Sequence, residues 1–239
     1  MRLLVAVLLL FVPAQAVAVT CNDVLFDGAS YTTCAVDVAA EDLRLYHSTT
    51  EGDVIGSFTD LAALDPSRKL MFAMNAGMYH PDRSPVGLFQ KDGAESAPLV
   101  TREGPGNFGL LPNGVFCLTG TSAHVIESRK FAAQASTCRD ATQSGPMLVI
   151  EGALHPKFIP GGSSLHVRNG VGVSPDGRTA VFAISNAPVN FYDFARLFRD
   201  GLGTPNALFL DGSVSRLHAN DLGRSDFGFQ LGPLVGVFE

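Results

Sequence analysis

Apolar residues in this chain come in short runs, each stopped by glycine, proline, asparagine or aspartate, and few of them recur at helical spacing. Runs rich in Val, Leu and Phe cover Thr33–Val38, Leu43–Ser48, Lys69–Asn75, Val86–Lys91, Gly114–Leu118, Ala123–Glu127, Met147–Glu151, His166–Val173, Thr179–Ile184, Ala207–Leu210 and Leu231–Phe238. These have the length and side chains of strands, and 25 Gly and 14 Pro supply the turns between them. Two segments read as helices. Thr59–Leu64 is capped by Thr59 or Asp60 and stopped by Pro66, and Asn190–Arg199 sets Phe191, Phe194, Ala195 and Phe198 on one face. The second helix makes a strand-helix-strand passage from Thr179 to Asp211, and such a crossover usually joins parallel neighbours. The pattern predicts an α+β fold: a single domain with a strand-rich mixed sheet and a few packed helices. Val171–Ala183 carries the Ser-Pro-Asp-Gly turn of a propeller blade, but it occurs once, so it reads as a hairpin turning at Pro175-Asp176-Gly177.

The first residues depart from this pattern. Arg2 is followed by the apolar run Leu3–Val12, then Pro13 and small residues ending Ala16-Val17-Ala18. This is the layout of a secretory signal peptide, 1–18, cleaved before Val19, and it leaves 19–239 as the mature domain. No run approaches the roughly 18 apolar residues of a membrane span, so a periplasmic or secreted protein is expected. Four cysteines in an exported chain imply two disulfides. Three pairings are open, of which the sequence-local ones, Cys21–Cys34 and Cys117–Cys138, are preferred. A net charge of −6 offers no basic field for nucleic acid.

Candidate chemistry gathers where apolar runs stop. Lys69–Met74 runs into Asn75-Ala-Gly77, Ala141–Gly145 runs into Met147–Ile150, Arg168-Asn169 begins a strand, Ile184 runs into Ser185-Asn186, and Leu210 runs into Asp211-Gly212-Ser. Amide, hydroxyl, guanidinium and carboxylate groups beside glycine at strand ends suit a polyol or phosphate site. Asp211 emerges where a buried run ends and Gly212 permits a turn; the plain alternative is a hairpin joining ALFL to VSRL. Of the histidines, His80, His155, His166 and His218 lie near these motifs, and His155 or His218 is a candidate proton donor. No ligand cluster compels a metal; the expectation is no cofactor, with room for calcium in an acidic site.

The ordered set NAGMY (75–79), QSGPMLV (143–149), RNGVGV (168–173), SNAPVNFYDFARLF (185–198) and LFLDGSVSRL (208–217) resembles the phosphodiester glycosidase family. Its best-known animal member removes N-acetylglucosamine from a phosphodiester on lysosomal enzymes, and small exported bacterial proteins make up much of the rest. The resemblance implies hydrolysis at a sugar anomeric carbon, with a phosphodiester oxygen as leaving group and a sugar-1-phosphodiester or phosphorylated glycan as substrate. It implies Asp211 as nucleophile or general base. Arg168 would clamp the phosphate with help from Ser144 and the Gly145 amide, Asn75 and Asn186 would bind sugar or phosphate, and Ser215 would orient Asp211. Gly77 and Gly212 belong to the same motifs. Two readings from other classes stay open: a periplasmic module that binds phosphoglycans without cleaving them, and an envelope protein whose glycines and prolines merely make turns.

Overall fold

The fold, taken from a computed structural model, is described for residues 19–134 and 137–239; the expected leader lies outside the described residues. Three sheets share one core. With strands numbered in chain order, the first sheet runs β1 (Thr20–Phe26), β2 (Ala29–Asp37), β13 (Thr179–Ser185), β12 (Asn169–Val173), β14 (Asn206–Phe209), β10 (Met147–Ile150), β11 (Ala153–Leu154). The second runs β16 (Arg224–Ser225), β15 (Leu217–Ala219), β4 (Leu70–Asn75), β17 (Leu234–Phe238), β3 (Arg44–Tyr46). The third runs β6 (Ala94–Ala97), β5 (Phe89–Lys91), β9 (Asp140–Ser144), β7 (Gly114–Leu118), β8 (Ala123–Glu127). One phenylalanine from each meets at the centre: Phe182 of β13 lies 4.8 Å from Phe72 of β4 and 5.8 Å from Phe116 of β7, ring centre to ring centre. Burying such rings is a main source of the core's stability.

Each sheet is covered outside by one short helix. α1 (Phe58–Ala63) packs Phe58 and Leu61 on the second sheet, α2 (Ser128–Ala132) packs Phe131 on the third, and α3 (Phe191–Arg196) packs Phe194 on the first. The fold is therefore α+β, as the hydrophobic pattern predicts. The cap of α1 is Ser57, one position earlier than either expected cap: its hydroxyl accepts the Asp60 N–H and donates to the Asp60 carboxylate. α3 is capped by Asn190 and passes into a π-helical turn over Leu197–Gly201. The crossover it makes differs from expectation. β13 and β14 do point the same way, but β12 lies between them and every ladder is antiparallel. The β12–β13 hairpin forms first along the chain and occupies the place that a parallel neighbour would take. Both sequence-local disulfides are present, Cys21–Cys34 across the β1–β2 pair and Cys117–Cys138 beside β7 and β9.

Candidate active site

Asp211 stands where the chain leaves one sheet for another. After β14 the backbone makes a 3-10 turn over Gly212–Val214 and then enters β15 of the second sheet, so Asp-Gly joins two sheets and is no hairpin. The crossing is held from both sides. Leu210 N–H donates to the Asn169 carbonyl of the first sheet, and Asp211 N–H donates to the Ala76 carbonyl just beyond β4. Asn75, fully buried at the end of β4, donates from Nδ2 to the Asp211 carbonyl at 2.8 Å. Its Oδ1 accepts the Arg216 N–H at 2.9 Å and Asn169 Nδ2 at 3.1 Å. Ser215 Oγ lies 3.1 Å from both the Val167 carbonyl and Asn169 Oδ1. Ser215 thus acts on Asn169, which holds Asn75, which holds the Asp211 backbone. Asn169 carries no role in the sequence reading, although its place in Arg-Asn-Gly at a strand start was the available signal. A buried amide bonded through both its nitrogen and its oxygen is rigid, and Asn75 fixes where the Asp211 backbone passes.

The third sheet closes in from the other side. A Cβ on Gly77 would lie 2.4 Å from Thr142 Oγ1 and 2.7 Å from the Gln143 carbonyl, so only glycine lets the Asn75–Tyr79 segment approach β9 this closely. The hydroxyls of Thr142 and Ser144, both on one face of β9, are buried without a hydrogen-bond partner among the described residues. Gly145 lies against the Phe108 carbonyl and Asn113. Gln143 points the other way and pins the following loop: Nε2 donates to the Val100 carbonyl and Ser128 Oγ, while Oε1 accepts the Leu88 and Val100 N–H groups. That loop returns as Pro105–Phe108 to form a wall of the cleft.

The cleft itself, about 470 Å³, is lined by Met78, Tyr79, His80, Phe108, Val214 and Asp211 among others, and Asp211 is the one carboxylate on its wall. Tyr79 donates to the Gln230 carbonyl at 2.9 Å. Burial raises its pKa and the Asp211 charge raises it further, against the opposing charges of Arg216 and Arg83, so phenol and carboxylate share one neighbourhood. Of the four histidines near the motifs, His80 alone reaches this cleft. His218 is tied to the Leu70 carbonyl and Ser225, and His166 is exposed on a bridge to Val189.

Arg168 is only 1% exposed. Its Nε donates to the Val189 carbonyl at 2.9 Å, its Nη2 to the Ser164 carbonyl at 2.8 Å, and the guanidinium lies 3.5 Å from the centre of the Phe191 ring. No carboxylate pairs with it among the described residues, and burial lowers its pKa to about 10. Nη1 is the nitrogen left without a protein acceptor among the described residues. Beyond Phe191 come Phe158, 5.0 Å away and nearly parallel, and then His155 at 4.7 Å. His155 is buried, its Nδ1 accepts the Lys157 N–H, and burial drives its pKa down to about 4 against a smaller opposing effect of the Leu111 backbone. Asn186 falls outside the group: its side chain binds Ser30, Thr32 and Arg224 at the end of β2. Among the described residues no three His, Cys, Asp or Glu side chains come together as a metal site.

Comparison with known proteins gives a consistent answer. Residues 68–224 match the family model described as phosphodiester glycosidase. An uncharacterized protein of Escherichia coli K12, YigE, is 32% identical over 204 residues, covering 84% of this chain and 80% of that one. Among solved structures, the zebrafish N-acetylglucosamine-1-phosphodiester alpha-N-acetylglucosaminidase catalytic domain, auto-inhibited by its pro-peptide, superposes with a TM-score of 0.64 at 14% identity, covering 93% of this chain and 82% of that one. A hypothetical protein from Synechocystis gives 0.59 at 14% identity, over 92% of this chain and 61% of that one. At these identities the two structures are similar to this chain in fold.

Proposed function

Because the chain belongs to the phosphodiester glycosidase family, we propose that it is an exported hydrolase that cleaves a sugar-1-phosphodiester at the anomeric carbon, releasing free sugar and a phosphomonoester. The observation that carries this reading is Asp211, the one carboxylate on the cleft wall among the described residues, with its backbone locked by Asn75 at the seam of two sheets. Glycosidases usually need two carboxyl groups, one of them to protonate a poor leaving group. A phosphate leaves as a stable anion, so one carboxylate suffices here. Asp211 takes the proton of a water whose oxygen bonds to C1 as the C1–O bond breaks and its electron pair departs with the phosphate, or Asp211 itself bonds to C1 as the phosphate leaves and water then hydrolyses that glycosyl ester, freeing sugar and carboxylate. Residual protonation of that phosphate falls to His80 or to water.

Arg168, Ser144 and the Gly145 amide keep the phosphate role that the family resemblance implies, although none of them lines the Asp211 cleft; fixed donors act most strongly on a departing charge in a water-poor site. Asn75 and Ser215 serve by positioning, since their polar groups are occupied within the protein. N-acetylglucosamine is the sugar proposed for a first assay. The mature protein with its disulfides intact is expected to release reducing sugar from an N-acetylglucosamine 1-phosphodiester, and Asp211→Asn to lower kcat by about a thousandfold or more at matched folded concentration. Release that survives in the variant would remove Asp211 from the chemistry. No release by either protein, with the diester still bound by both, would make this a phosphoglycan-binding module.

A further inference from the structure

The segment from Asp226 to Gln230 holds two phenylalanines in water. Phe227 is 96% exposed and Phe229 82%, the two most exposed large apolar side chains among the described residues. Their loop is fixed: Arg216 Nη1 donates to the Phe229 carbonyl, Tyr79 Oη to the Gln230 carbonyl and Arg83 Nη1 to Gln230 Oε1, while Asp226 is held by Arg224 and by the Leu217 N–H. One of these ties comes from the cleft wall, and a second from a residue that braces it. Tyr79 lines it, and Arg216 offers its N–H to the Asn75 that holds Asp211. The loop that carries the phenyl pair is therefore joined to the cleft wall through Tyr79.

An apolar pair kept exposed by a fixed loop marks a place where something apolar lands. The cleft wall has the same character: Met78, Pro81, Val86, Pro105, Phe108 and Val214 line it, more hydrocarbon than a sugar needs. The charges beside it complement an anion. Neither Arg83 nor Arg216 forms an ion pair among the described residues, whereas the nearby acids are engaged, Asp226 with Arg224 and Asp82 with Ser84. Apolar surface and cationic groups around one carboxylate fit an amphiphile with a phosphodiester at its polar end.

We propose that the diester taken by this site carries a hydrocarbon aglycone, which leaves the cleft over its apolar wall and lies against Phe227 and Phe229. This inference rests on the phosphodiester reading of the Asp211 cleft. It is tested with methyl and octyl esters of the same sugar 1-phosphate, each below its micellar concentration, on the parent and on the Phe227→Ser/Phe229→Ser double variant. The parent is expected to favour the octyl ester in kcat/KM by about tenfold, the worth of roughly two buried methylenes, acting through KM. The double variant, whose changed side chains pack on almost nothing, should keep its thermal midpoint and lose most of that octyl-to-methyl ratio. A ratio near one in the parent, or a ratio kept by the variant, overturns the proposal. So does a ratio near one accompanied by binding to phosphatidylglycerol vesicles that the variant loses, since that would assign the phenyls to a membrane surface. If neither ester is hydrolysed, it is the phosphodiester reading that fails. Calorimetric binding of the two esters then decides the aglycone question: octyl binding tighter than methyl in the parent and levelled in the variant supports it, and equal binding overturns it.

Discussion

Individual side chains at this site were legible to very different degrees. Asp211, Asn75 and Gly77 stood out because each follows an apolar run at a sheet boundary, and the fold uses each there. Tyr79 and Phe108 reach the cleft from loops whose positions depend on tertiary contacts such as those of Gln143, which no local pattern reveals. Asn186 shows the converse: an amide at a strand end can serve a neighbouring strand as readily as a substrate. His155 was a candidate proton donor for which a structural role is the commoner case, and a buried imidazole with a pKa near 4 is neutral at ordinary pH and ends the stack that reaches Arg168. That value has a consequence for stability. Between pH 6.5, the ordinary histidine value, and about 4, the unfolded chain takes up a proton that the folded chain refuses, so stability falls as pH drops through that window and loses no more from this group below it. His155→Phe, which keeps a ring in the stack, is expected to shrink the stability difference between pH 7 and pH 4 by on the order of 3 kcal/mol, read from urea midpoints at the two pH values. An unchanged difference would show that His155 titrates normally in the folded protein.

At the level of elements, apolar runs bounded by glycine and proline located most of the central strands. What they missed has physical reasons. β1 (TCNDVLF) lies on an edge with most of its residues at least partly exposed, where packing selects weakly, and α2 has five residues, too few for a helical period to show. The place of β12 between β13 and β14 is a matter of pairing order that spacing does not encode. The glycines of β12 do have a visible purpose. A Cβ on Gly172 would lie 2.4 Å from Thr204 Oγ1 and 2.8 Å from the Phe198 ring, so this strand is bare where the segment from α3 to β14 crosses it. Gly172→Val should therefore push that segment off the sheet, costing about 1–3 kcal/mol and lowering Tm by several degrees in a thermal melt. A melt unchanged from the parent would mean that the crossing has slack.

For the molecule as a whole, the leader-like start and the two disulfides point to the same oxidising compartment. Among the described residues no helix is long and apolar enough to cross a membrane. Produced in a bacterial host with residues 1–18 in place, the protein is expected in the periplasmic fraction with an intact mass that begins at Val19 and includes both cystines. Cytoplasmic material retaining Met1 would count against export. The order of strands in the second sheet bears on how the chain is completed. β17, last of the strands along the chain, lies between β4 and β3, with all five of its residues buried. When the chain is made N-terminus first, β3 has no ladder partner and β4 keeps one edge open until Leu234–Phe238 arrives between them. The second sheet cannot close until the last strand is made, and the waiting strand edges can find another chain first.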